Sequence, residues 1–147
     1  MPTNPPDHNT SSPFASWNMD HAGIRVGDID AAVAWYVDTL DCRLVRRWSL
    51  GTKQFVWLAP PGADEFIIEL LTNSVPETQP LHDNFKLLSR SHLGFLVVSV
   101  NDAIAELKRS NVTVISEPRD VKEASRRVAF FVDPWGNLIE VMEAISV

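Results

Sequence analysis

Two histidines and two glutamates recur at one spacing along this chain. His92 follows His21 by 71 positions, and Glu140 follows Glu69 by the same 71, so each half carries a histidine with a glutamate 48 positions later. Two imidazole nitrogens and two carboxylate oxygens form a mixed donor set. It suits Ni(II), Zn(II), Co(II), Fe(II) or Mn(II), with coordination positions left open for water or substrate. Both carboxylates interrupt apolar runs, Phe66-Ile-Ile-Glu-Leu-Leu71 and Leu138-Ile-Glu-Val-Met142. A carboxylate in such a run is costly to bury unless it is paired, protonated or bound to a metal. A lone histidine at a strand start, or a lone glutamate in a strand, is ordinarily structural. Their joint recurrence at one shift marks His21, Glu69, His92 and Glu140 as candidate metal ligands. His8 and His82 have no counterparts at that shift and fall outside the set.

The elements that must position these residues repeat with them. His21-Ala-Gly-Ile-Arg-Val lies over His92-Leu-Gly-Phe-Leu-Val, and Ile67-Ile68-Glu69-Leu70-Leu71 over Leu138-Ile139-Glu140-Val141-Met142, with no gap between. Each half reads as strand, helix and three strands. In the first half strands are expected at 20–26, 43–49, 54–58 and 65–71. Asp28 is the expected helix cap, and Val33, Tyr36, Val37 and Leu40 the apolar helix face. In the second half strands are expected at 92–98, 112–116, 126–132 and 138–143. The helix spans 101–110 with Ile104 and Leu107 inward, and Asp133-Pro-Trp-Gly-Asn137 makes the last turn. Alternation along a strand puts His21, Gly23 and Arg25 on one face, and Glu69 on another shared with Ile67, Leu71 and Asn73.

A chain of 147 residues has room for one domain with a proper core, or for two small units sharing one. Residues 1–18 read as an irregular arm, 19–74 as module one, 75–91 as a connecting loop and 92–147 as module two, the last three within one domain at 19–147. The net charge of −6 and the absence of a Lys/Arg stripe argue against nucleic acid and for a small-molecule partner. One cysteine, Cys42, permits no intrachain disulfide. With no apolar stretch near the roughly 20 residues of a membrane span, the expectation is a cytoplasmic protein with no membrane partner.

The repeated modules, the His and Glu positions and the late Asp-Pro-x-Gly-Asn turn resemble the vicinal oxygen chelate superfamily. That superfamily includes glyoxalase I, extradiol dioxygenases, methylmalonyl-CoA epimerase and the fosfomycin and bleomycin resistance proteins. The resemblance covers about residues 19–145. It implies an α+β fold in which two tandem βαβββ modules form a curved mixed sheet around one divalent metal per site. It also implies a homodimer, His21 and Glu69 of one subunit facing His92 and Glu140 of the other. Within the superfamily the chain is most similar to glyoxalase I. Arg25, four after His21, and Asn73, four after Glu69, match residues that hold the glutamyl end of glutathione there, so glutathione is the implied co-substrate. Asp41 departs from a usual helix-ending Gly and Trp135 from a frequently acidic turn position, which puts the substrate rather than the metal in question.

The resemblance thus implies a lyase that isomerises the hemithioacetal of a 2-oxoaldehyde and a thiol through an enediolate. Glu140 and Glu69 are the catalytic candidates, with Glu140 favoured as the base. Phe55, Trp57, Leu96 and Met142 are candidate pocket walls, though each also suits a core role. An Fe(II) dioxygenase is an alternative, but a fourth protein ligand would crowd its open positions. An epimerase is another, with Phe55 where an additional Glu would stand. A drug-sequestering protein is the non-enzymatic alternative, against which the full ligand set counts.

Overall fold

The structure, a computed structural model, describes residues 6–17, 20–72 and 92–146. Asn73 and the expected connecting loop lie outside the described residues. Module one runs β1 (His21–Arg25), α1 (Ile29–Leu40), β2 (Arg43–Leu50), β3 (Lys53–Ala59) and β4 (Ile67–Leu71). Module two runs β5 (Leu93–Leu96), α2 (Val100–Arg109), β6 (Thr113–Val121), β7 (Arg126–Val132) and β8 (Leu138–Ala144), with a short 3-10 turn, Lys122–Ala124, before β7. The fold is α+β, as expected. Each module forms its own four-stranded mixed sheet, β1-β4-β3-β2 and β5-β8-β7-β6. In each, the first strand pairs parallel with the last, β1 with β4 and β5 with β8, and the remaining pairs are antiparallel.

Local sequence explains the helices. The Asp28 side chain accepts the Ala31 N–H at 3.0 Å and the Ser99 side chain that of Asp102 at 3.2 Å, so each helix starts on a cap that satisfies an orphan donor. The buried face of α1 is Ile29, Ala32 and Tyr36, with Val33 and Leu40 beside it. Val37, expected inward, lies at the flank of that face. In α2, Ile104 and Leu107 are buried as expected. Asp41 ends α1 in the left-handed region at φ 52, the conformation that Gly adopts more cheaply. β6 runs to Val121, past the expected end at 116. It is the edge strand of its sheet, where the missing N–H of Pro118 breaks no ladder, and its register shifts between Ser116 and Arg119.

One core joins both modules. Ile29, Tyr36, Ile104 and Leu107 from the helices pack with Val56, Ile68 and Leu70 of the first sheet and with Phe131, Ile139 and Val141 of the second. The junction is pinned by Asp133, which is 2% exposed, so its carboxylate depends on protein donors. Its Oδ1 accepts the backbone N–H groups of Trp135 (2.9 Å) and Asn137 (2.8 Å). Its Oδ2 accepts the Tyr36 hydroxyl (2.9 Å) and the Asn137 amide (2.6 Å). The same amide nitrogen donates to the Arg25 carbonyl at 2.9 Å, tying β1 to the turn between β7 and β8. Burial raises the Asp133 carboxyl above its usual range, partly offset by the hydrogen bonds from Asn137, Tyr36 and Trp135.

With a folded value above the unfolded one, the folded state holds the extra proton between the two. Stability from this group therefore falls as pH rises through that window. Asp133→Asn should flatten this part of the urea midpoint against pH. Asp41→Gly should raise unfolding stability by about 1 kcal/mol, read from the same urea curves, by relieving the left-handed backbone.

Candidate functional site

Each candidate glutamate is aimed by its apolar neighbours. Ile68 and Leu70 enter the core, as do Ile139 and Val141, so alternation turns Glu69 and Glu140 to the sheet faces the helices do not cover. Across the parallel pairs Gly23 lies opposite Glu69 and Gly94 opposite Glu140. Glycine suits these positions for want of space. A Cβ at Gly94 would lie 3.1 Å from Met142 Cε and 3.8 Å from Glu140 Oε2, and one at Gly23 would lie 3.3 Å from Leu71 Cδ2 and 3.8 Å from Glu69 Oε1. His21 and His92 stand two residues before these glycines, at equivalent places in the two modules.

The two half-sites are equivalent in backbone and different in bonding. In module two, His92 Nε2 lies 3.2 Å from Glu140 Oε2; the histidine side chain is 33% exposed and the glutamate 13%, so the imidazole is the more accessible of the two. In module one, the Trp57 indole N–H donates to Glu69 Oε2 at 2.8 Å. His21 Nδ1 lies 2.7 Å from Asp20 Oδ2, an arrangement that engages Nδ1 and leaves Nε2 as the ring nitrogen available to a ligand. Neither Asp20 nor the bond from Trp57 was foreseen. The acid directly before His21 was the available sign of the first; the second depends on pairing between strands. Among the described residues no three His, Cys, Asp or Glu side chains stand close enough to hold a metal ion. A single chain thus presents two pairs on two sheets.

The expected substrate-binding residues distribute over the same faces. Trp57 pairs with Glu69, and Phe55 and Arg25 both pair with Leu71. Leu96 pairs with Met142 beside Glu140 and is 75% exposed. A cavity of about 270 Å³ opens next to Glu140, walled by Met142, Val128 and Phe130 with Arg119 and Arg126 at its rim. The two arginines were not singled out from sequence. Among the described residues no helix is long and apolar enough to cross a membrane.

Residues 18–141 match the family model described as the Glyoxalase/Bleomycin resistance protein/Dioxygenase superfamily. The lactoylglutathione lyase of Salmonella typhimurium is 29% identical over 131 residues, which span 84% of this chain and 90% of that protein. A probable lactoylglutathione lyase of Synechocystis is 28% identical over 130 residues, 86% of this chain and 95% of that one. Among solved structures, the trypanothione-dependent glyoxalase I of Leishmania major superposes with a TM-score of 0.64 at 27% identity over 87% of each chain. A glyoxalase I mutant of Zea mays gives 0.69 at 22% identity, covering 87% of this chain and 46% of that one, a likeness of fold.

Trp57→Phe keeps an aromatic ring, smaller than the indole, and removes the donor to Glu69. It should cost about 1–2 kcal/mol in urea unfolding, and in a Glu69→Ala background the same change should cost about 1 kcal/mol less, the remainder being the lost indole packing on Trp48.

Proposed function

The chain belongs to the Glyoxalase/Bleomycin resistance protein/Dioxygenase superfamily, and from that premise we propose that it is a divalent-metal-dependent lyase of the glyoxalase I kind. It isomerises the hemithioacetal of a 2-oxoaldehyde and a thiol. The observation that carries the reading is the duplicated half-site. A carboxylate on the helix-free face of each sheet stands across from a glycine, with a histidine two residues before that glycine, in both modules. The relatives named lactoylglutathione lyase, matched over most of their length, support the same reaction class.

The donor chemistry fits a borderline divalent cation, with two imidazoles and two carboxylates. Because one chain presents them as two pairs, the complete set is assembled by a homodimer, His21 and Glu69 of one subunit facing His92 and Glu140 of its partner. When bound, the cation polarises the substrate's neighbouring oxygens and stabilises enediolate charge. Glu140 removes the proton from the carbon that bears the thiol sulfur and returns one to the adjacent carbon, while the hydroxyl proton passes to the neighbouring oxygen, so the 2-hydroxy thioester forms without a second reactant. Its oxygen has His92 as neighbour and lies at the cavity mouth. Glu69 is held by the Trp57 indole and acts as the fixed carboxylate. Arg25 and Asn73 grip the thiol's anionic tail, and Met142, Leu96, Phe55 and Trp57 wall the apolar part. Glutathione is the thiol assigned to this role.

Full-length protein purified without a tag should bind one Ni, Zn, Co, Fe or Mn ion per complete site by mass-spectrometric metal analysis, and His21→Ala or His92→Ala should lower that occupancy. Ultraviolet assay with methylglyoxal and glutathione should show turnover, with Glu140→Gln slower by about 10²–10⁴-fold in kcat. Metal-free protein that takes up no cation and turns over no adduct would end this reading.

A further inference from the structure

The helix-free face of the first sheet carries an aromatic corner that the reaction's proton transfers do not require. Arg46 pairs with Trp57 and Trp48 with Phe55 across β2 and β3, while Trp57 pairs with Glu69 and Phe55 with Leu71 across β3 and β4. Directly paired residues share a face, so Glu69, Trp57 and Arg46 form one row and Leu71, Phe55 and Trp48 the next. Trp48 stacks on Phe55 with centroids 5.3 Å apart and planes at 7°. Trp57 meets Trp48 at 5.2 Å and 83°, making two indole walls at nearly a right angle. The Arg46 guanidinium stands 6.0 Å from the Trp48 centroid. A cavity of about 180 Å³ opens between Arg46, Trp48 and Trp57.

This corner selects flat and negatively charged groups. Two crossed indoles offer area to a planar ring and little to a flexible chain. Arg46 makes no ion pair with any described carboxylate, whereas the neighbouring Arg43 and Arg47 are paired with Asp64 and Asp30. Glu69 does not line this cavity, so the one charged group along its wall is the Arg46 guanidinium. A neutral ring would leave that fork of donors unmatched, and a cationic ring would be repelled by it.

We propose that the Arg46–Trp48–Trp57 corner binds an aromatic ring bearing a carboxylate, the ring against the indoles and the carboxylate on the Arg46 guanidinium. The link to substrate choice rests on the proposed lyase reading. Arg46 is two strands from Glu69, roughly 10 Å at the ~4.8 Å spacing of paired strands, which is about the reach of a substituted phenyl group. The favoured substrate class is then an arylglyoxal with an acidic ring substituent, turned over ahead of a small alkyl 2-oxoaldehyde such as methylglyoxal.

The test uses the full chain labelled with ¹⁵N-tryptophan and follows the indole N–H signals of Trp48 and Trp57 on titration with benzoate and, separately, benzamide. Benzoate should move both signals saturably and bind about fivefold to tenfold more tightly than benzamide. Arg46→Gln, at an exposed position, should remove that preference, and Trp48→Leu should weaken both ligands. Equal affinity for the two compounds, or a preference unchanged in Arg46→Gln, overturns the proposal. So do signals that follow protein concentration and ignore benzoate, because a second copy of the chain then covers this face. Absence of a benzoate preference in the unaltered chain, with lyase turnover intact, sinks this inference alone. Benzoate selectivity without metal uptake or turnover sinks only the lyase reading.

Discussion

The site depends on strand alternation enforced by a shared core. Ile68 and Leu70 on either side of Glu69, and Ile139 and Val141 on either side of Glu140, are all buried in the core that the two helices cover. Burying four such side chains is worth several kcal/mol, far more than any single hydrogen bond made at the site. With those neighbours fixed, a carboxylate between them has one direction available, away from the helices. A slip of one residue in either strand would drive the carboxylate into the core and expose the isoleucines. Metal ligation is therefore not what aims the glutamates. Packing aims them, and the chemistry exploits the result.

The two modules share this backbone logic and diverge in what surrounds each carboxylate. Glu140 has a histidine at 3.2 Å and an adjoining cavity, while Glu69 has an indole donor at 2.8 Å and an aromatic slab. Duplication gives two equal half-sites; Trp57 makes them unequal. A carboxylate with one oxygen held by a rigid donor keeps its orientation when a ligand arrives. One whose neighbour is a titratable imidazole at the surface has more freedom. That asymmetry suits a division between a fixed carboxylate and a proton-carrying one.

Outside the site the modules are held together by Asp133, whose carboxylate gathers donors from the Asp133–Asn137 turn and from Tyr36 on α1. A buried carboxylate with four donors is stable in place and costly to strand. The turn motif visible in the sequence is thus also the clasp between the modules. Trp135, the departure noted at that turn, lies against Gly27, where a Cβ would come within 3.2 Å of its ring.

The sequence alone determined whatever is written in local spacing. The 71-residue repeat, the strand-helix-strand order, the Asp28 cap, the Asp133–Asn137 turn and the facing of Glu69 and Glu140 all follow from backbone periods of 2 and 3.6 acting on side chains a few positions apart. Tertiary structure alone decided which residues meet across strands and modules: Trp57 with Glu69, Tyr36 with Asp133, Arg46 with the crossed indoles. It also decided that the four candidate ligands stand as two pairs on two sheets. Such meetings depend on register and on how packed faces settle, and these are set by the fit of the whole core, which no window of neighbouring residues encodes.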